Sequence, residues 1–119
     1  MKIKIIALIL AAFPMIIDAQ EYKLVWEDNF NKSVLNKKNW TIEVDGNGGG
    51  NRELQYYRKQ NISLGVEPKS GERCLIITAK KQNFKGKAVT SGRIKSEHKQ
   101  AFLFGKVEAR IKLPKTANG

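Results

Sequence analysis

The sequence predicts an all-β domain of the sandwich or barrel class, on three observations. Short apolar runs rich in Val, Ile, Tyr and Trp recur along the chain, bounded by Gly, Pro, Asn and Asp. One segment, Val107-Glu108-Ala109-Arg110-Ile111-Lys112-Leu113, alternates apolar and charged residues strictly, the period of a half-buried strand. Beyond residue 19, no stretch long enough for a helix carries a helical apolar periodicity. Short strands with turn signals between them are the signature of packed or closed sheets.

Taken in order, Tyr22 to Trp26 is aromatic and β-branched and ends in the turn formers Glu27-Asp28-Asn29, which predicts a first strand. Asn39 to Val44 reads the same way and runs into Asp45-Gly46-Asn47-Gly48-Gly49-Gly50. So many glycines favour neither helix nor strand, so this is a loop. Leu54 to Arg58 and Ile62 to Val66 are short strands, and Pro68-Lys69-Ser70-Gly71 is a turn. Cys74 to Lys80 contains Leu75, Ile76 and Ile77 in succession, the pattern of a central strand covered on both faces. Ala88 to Ser96 is expected to pair with Val107 to Leu113 across a loop near His98 to Ala101.

Composition sets the outer bounds. The 119 residues are 41% hydrophobic and 28% charged, with only 3 Pro, which excludes a disordered tail, a collagen-like repeat and a long coiled coil. The formal charge is +11, which invites nucleic acid, an anionic membrane or an acidic polymer. The basic residues are scattered, in short pairs such as Lys37-Lys38, Arg58-Lys59 and Lys80-Lys81, without regularly interleaved aromatic residues. A solvated surface therefore accounts for them better than a nucleic-acid interface does.

Residues 1–19 have a different purpose. Lys2 and Lys4 precede an apolar run from Ile5 to Ile17, closed by Asp18-Ala19, the layout of a secretory signal. The run is shorter than the roughly 20 residues of a spanning helix, so a stable membrane anchor is not expected. Cleavage after Ala19 leaves a 20–119 chain that is extracellular or periplasmic. Loss of Lys2, Lys4 and Asp18 from the 22 basic and 11 acidic residues brings the net charge to +10.

The lone Cys74 cannot form an internal disulfide and sits in an apolar run as a small core residue; one Cys and one His, His98, supply neither a nucleophile with its base nor four zinc ligands. The glycine loop lacks the Lys-Ser/Thr and the helix that a phosphate loop needs, leaving a flexible surface turn or the rim of a binding cleft. Tyr56 and Tyr57 point to opposite faces of their strand, one toward the core and the other toward a cleft or the convex side. Trp26 and Trp40 sit in apolar strand patterns and are expected in the core. Asn31, Asn39 and Asn61 open glycosylation acceptor patterns.

Four segments together resemble glycoside hydrolase family 16, in particular its laminarinase-like β-glucanases: L-V-W-E-D-N-F-N at 24–31, N-R-E-L-Q-Y-Y at 51–57, V-T-S-G-R-I at 89–94 and F-G-K-V-E-A-R-I-K-L-P at 104–114. The resemblance implies a β-jelly-roll sandwich of the concanavalin A-like lectin/glucanase type, with a long cleft across its concave sheet. It also implies a retaining hydrolase of laminarin-type or mixed-linkage β-glucan. The family's E-x-D-x-x-E motif, which carries nucleophile, assisting Asp and acid/base, is absent from the 119 residues. Glu53 and Glu108 stand in recognisable motifs but match no catalytic position. The chain is therefore expected to be the N-terminal part of an incomplete domain, inactive alone, prone to aggregate through open strand edges, and monomeric when complete.

By the same resemblance, Arg93 matches an arginine that points into the cleft and Asn51 a cleft position after the glycine loop. A planar guanidinium and an amide both suit sugar hydroxyls. No cofactor is required. Many members hold a structural calcium through backbone carbonyls, which here would come from near Asn29 and Gly71. The alternatives are a non-catalytic β-glucan-binding relative and a member acting on charged galactans.

Overall fold

The computed structural model describes residues 21–115; the expected leader at 1–19, its cleavage site before Gln20 and residues 116–119 lie outside the described residues. The regular elements are seven strands and one 3-10 turn, so the described chain is all-β. They are β1 (Thr41–Ile42), β2 (Gln55–Tyr57), the turn Lys59–Asn61, β3 (Ile62–Val66), β4 (Arg73–Ile77), β5 (Lys80–Phe84), β6 (Lys87–Ser91) and β7 (Ile94–Lys95).

Three small sheets result. β1 pairs antiparallel with β7, β3 pairs antiparallel with β4, and β6 lies between β2 and β5, parallel to the first and antiparallel to the second. A parallel neighbour cannot be reached by a tight turn. The chain between β2 and β6 accordingly passes through the whole β3–β4 hairpin and then β5. The β5–β6 turn is the two-residue Lys85-Gly86, both at positive φ (46° and 79°), the backbone that matches the twist of a hairpin. In the β3–β4 turn the Glu67 carboxylate accepts from the backbone N–H of Lys69 (3.0 Å) and Ser70 (2.7 Å), and Gly71 takes a φ of 71°. This is the turn expected at Pro68–Gly71.

The centre of the described chain is polar and fully paired. Thr90 (0% exposed) and Asn61 (2%) are its most buried residues. Asn61 Nδ2 donates to the Thr78 carbonyl (2.7 Å) and to Thr90 Oγ1 (3.1 Å), and Thr90 Oγ1 donates to Gln82 Oε1 (3.1 Å). Gly92 lies against this knot, where an added Cβ would stand 2.5 Å from Ile62 Cγ1 and 3.0 Å from the Asn61 carbonyl oxygen. The Asn61 amide is thus engaged and buried, and its acceptor pattern is not open to modification in the folded chain.

Four expectations are corrected. Tyr22 to Trp26 forms no strand; Leu24 and Val25 are exposed, and Trp26 instead packs its ring against Trp40 and Phe102, with centroids 5.7 and 6.0 Å apart. Cys74 to Lys80 is not one covered strand, because β4 ends at Ile77, which is 48% exposed, and Lys80 opens β5. Ala88 to Ser96 does not pair with Val107 to Leu113; β6 takes β2 and β5 as its neighbours. Val107 to Leu113 forms no strand among the described residues, and Val107, Ile111 and Leu113 remain exposed. Alternation supplies a strand's face, but its backbone N–H and C=O groups need an edge to bond, and none pairs with this segment among the described residues.

Candidate functional site

The strongest convergence of charged and polar side chains is built on β2, on the residues just before β7 and on β7 itself. Period two places Glu53, Gln55 and Tyr57 on one face of the β2 segment. Tyr57, largely buried, donates its hydroxyl to Glu53 Oε2 (2.8 Å) and accepts from Gln55 Nε2 (2.7 Å). Arg93 closes the group. Its Nη1 stands 3.5 Å from Glu53 Oε2 and 3.7 Å from Glu43 Oε1, and its guanidinium carbon lies 5.0 Å from the Tyr57 ring centroid. Glu43 is delivered by the strand pairing, since its N–H donates to the Arg93 carbonyl (2.9 Å) just beyond the β1–β7 ladder. Lys95 Nζ is 3.9 Å from the other Glu43 oxygen.

The electrostatics are those of a half-solvated network. The side chains of Glu43 and Glu53 are about one-fifth exposed and that of Arg93 is 39% exposed, so Arg93 keeps an edge toward solvent. Burial, followed by the hydrogen bond to Glu53, raises the Tyr57 phenol above its ordinary range. A fork of donors flanked by two carboxylate acceptors can take adjacent hydroxyl groups, one donating while its neighbour accepts.

The glycine loop leads directly into this site. Gly48, Gly49, Gly50 and Arg52 all adopt positive φ, and Glu53 N–H donates back to the Gly48 carbonyl (3.0 Å). A Cβ on Gly49 would stand 2.5 Å from Glu53 Oε2, so glycine there leaves room for the carboxylate. The loop is therefore tied to Glu53 through its backbone rather than hanging free of the site. Asn51 is exposed within the loop, with its N–H donating to the Gly48 carbonyl (2.9 Å). The structure therefore brings Arg93 onto Glu53 and leaves Asn51 exposed in the adjoining loop. Tyr57 is the tyrosine on the site face, while Tyr56 packs oppositely, edge-on to Phe84 with centroids 5.0 Å apart.

Sequence reasoning missed Glu43, Gln55 and Tyr57 as a unit with Arg93. The signal for half of it was present, since 53, 55 and 57 are alternate polar or amphipathic positions; Glu43 is found only through the β1–β7 register. Glu53 and Glu108 are held by different partners, Glu108 by Lys106 at 3.0 Å on an exposed segment. Cys74 is half-buried opposite Gly65, and His98 is 91% exposed beside Glu97.

Of the two positions expected near calcium, one lines a pocket and the other lies in a turn. Asn29 lines a pocket of about 240 Å³ with Asp28, Asn31 and Asn39, whereas Gly71 belongs to the β3–β4 turn and does not line it. Both Asp28 oxygens are engaged, one by the Phe30 N–H (3.0 Å), the other by Trp40 Nε1 (2.7 Å) and Asn39 Nδ2 (3.3 Å). Burial opposes ionisation of Asp28, but these bonds and the nearby Lys32 charge hold its pKa below the ordinary carboxylate value. Among the described residues no three His, Cys, Asp or Glu side chains converge. Calcium takes six to eight oxygens, and the donors expected near Asn29 and Gly71 are backbone carbonyls rather than such side chains.

No protein-family model matches the chain. Relatives and solved structures do. The chain is 36% identical over 97 residues to a beta-glucanase of Rhodothermus marinus, covering 81% of this chain and 33% of that protein. It is 35% identical over 96 residues to the clotting factor G alpha subunit of Tachypleus tridentatus, covering 79% of this chain and 13% of that one. The chain thus spans a third or less of the relatives it matches. The laminarinase structure from Rhodothermus marinus superposes with a TM-score of 0.57 at 31% identity, over 71% of this chain and 33% of that one. A Bacteroides ovatus mixed-linkage glucan GH16 enzyme, in complex with its G4G4G3G product, superposes at 0.55 and 35% identity, over 66% and 30%. Matched motifs, strand content and superposition agree, and the chain is a laminarinase-like segment of glycoside hydrolase family 16, with that family's all-β jelly-roll type of architecture.

Proposed function

We propose that this chain is the glucan-binding part of a secreted β-glucan hydrolase of the laminarinase type. Residues 1–19 direct its export, and Arg93 and Asn51, backed by Glu53, Glu43 and Tyr57, hold sugar hydroxyls. The observation that carries the reading is the convergence of Arg93, Glu53 and Tyr57 beside a glycine loop. Similarity to an enzyme whose structure contains a glucan product adds to it. Hydrolysis with retention needs two carboxyl groups about 5–5.5 Å apart. The E-x-D-x-x-E strand that would supply them is absent from these residues, so the chain binds and positions substrate without cleaving it.

Affinity electrophoresis in laminarin tests this. Retardation of the chain is expected, with Arg93→Ala weakening binding about tenfold, the effect of losing a charge-assisted hydrogen bond. Unchanged retardation in that variant overturns the assignment of the site, and release of reducing sugar by the 119 residues overturns the division of labour. A second reading, a non-catalytic glucan-binding relative, is favoured by one observation: a relative 35% identical, against 36% for the beta-glucanase, is named as a clotting factor subunit. The two readings part on whether an E-x-D-x-x-E strand accompanies this segment in its gene.

A further inference from the structure

Cations on this chain are divided unequally between paired and unpaired. Arg93, Lys95, Lys106, Arg110 and Lys112 each stand within ion-pair distance of a carboxylate. The other fifteen Lys and Arg of residues 21–115 have no such partner among the described residues, Arg58, Lys59, Lys80, Lys81 and Lys85 among them. Three of these, Arg58, Lys59 and Lys85, line one pocket of about 200 Å³ with Val44, Tyr56 and Phe84, and no carboxylate lines it. It lies on the opposite side of β2 from the Arg93 site, because Tyr56 faces away from Tyr57.

The pocket has built geometry beyond its charge. The Arg58 guanidinium carbon lies 3.9 Å from the Phe84 ring centroid, and Arg58 Nη1 donates to Gln82 Oε1 (3.3 Å). Tyr56 meets the same ring edge-on, and Lys85 Nζ stands 5.7 and 5.8 Å from the Tyr56 and Phe84 centroids. Stacking and the Gln82 bond orient the guanidinium plane before any ligand arrives, which leaves less side-chain freedom to lose on binding. Its remaining N–H groups match the oxygens of a carboxylate or a sulfate.

We propose that this pocket is a second carbohydrate site, distinct from the Arg93 face, that binds the sulfate or carboxylate groups of an acidic polysaccharide. Its aromatic rings argue against nucleic acid, since a base needs an open ring face and Phe84 is covered by Arg58 and engaged edge-on by Tyr56. Lys80, unpaired among the described residues and on the same face of β5 as Gln82, gives a charged polymer a further contact that a small anion would not use, whereas Lys81 points to the other face. The site stands apart from the glucan reading, and either can fail without the other.

Binding of the full chain to dextran sulfate, alginate, neutral dextran, sodium sulfate and single-stranded DNA tests it, in a salt series, for the unaltered chain and for Arg58→Gln, Lys85→Ala and Lys69→Ala. Lys85 is exposed, so its variant keeps the fold even if that at Arg58 does not. Binding to dextran sulfate or alginate is expected, with none to neutral dextran. Either pocket variant should lose about tenfold in affinity, while Lys69→Ala and laminarin retardation stay unchanged. Equal losses in all three variants mean unspecific charge attraction and overturn the proposal. So do DNA binding of equal strength and equal sensitivity, or sodium sulfate binding as tightly per site as the polymer.

Discussion

Asn61 and Thr90 share one hydroxyl between an amide donor and an amide acceptor, and that arithmetic leaves no spare partner. Replacing Asn61 by Asp turns a donor to the Thr78 carbonyl into a repelling carboxylate. Asn61→Asp should therefore destabilise the chain by about 3 kcal/mol at neutral pH, read as a lower urea midpoint, with partial recovery where the aspartate protonates. At the candidate site, Tyr57→Phe removes the hydroxyl that joins Glu53 to Gln55. A loss of about 1 kcal/mol of stability is expected, alongside weaker laminarin retardation, because Glu53 then lacks one of the contacts that orient it beneath Arg93.

At the scale of elements, close approach and charge decide what the strands alone leave open. Gly92 lets the β6–β7 connection pass over Ile62 and the Asn61 carbonyl, and Gly92→Ala should cost about 2 kcal/mol through overpacking. Thermal denaturation of the variant measures it. The β3–β4 turn also grips a distant segment, since Glu72 pairs with Arg110 at 2.7 Å and Glu67 pairs with Lys112. The Lys112 bond, with the N–H groups of the turn, lowers the Glu67 carboxyl to about 2 from an ordinary 4.5. A depressed carboxylate contributes to stability above its ordinary value and loses that contribution as pH falls through the depressed one. The attachment of residues 110–112 should therefore hold above pH 4.5 and release progressively toward pH 2. The Lys112 resonances followed by NMR across that range report it; shifts that do not move with pH would refute the coupling.

For the whole molecule, the described surface carries Leu103, Phe104, Val107, Ile111 and Leu113, each at least 70% exposed. Large apolar side chains exposed in such number along one segment favour self-association. Sedimentation at rising concentration should show oligomers, which Ile111→Lys with Leu113→Lys diminishes. A concentration-independent monomer would show that this surface is covered in solution. The unpaired basic residues keep a large positive charge on the same molecule, so the association is expected to strengthen with salt, opposite to binding of an acidic polymer.

Much of this was legible without coordinates. The all-β class followed from short apolar runs between turn formers, the β3 limits and the Pro68–Gly71 turn from local chemistry, and the family from four ordered motifs. Local preference determines such features because neighbours in sequence impose them: a turn needs its own glycine, and a face needs its own alternation. Tertiary structure decided which of the apolar runs became strands, because a strand exists only where another edge accepts its backbone hydrogen bonds. Tyr22 to Trp26 and Val107 to Leu113 have the right composition and no such edge among the described residues. It also decided the candidate site, since Arg93 meets Glu43 through the β1–β7 register and Glu53 through the turn of the glycine loop. Those contacts join residues as far as 50 positions apart, and no local pattern encodes a distance in space.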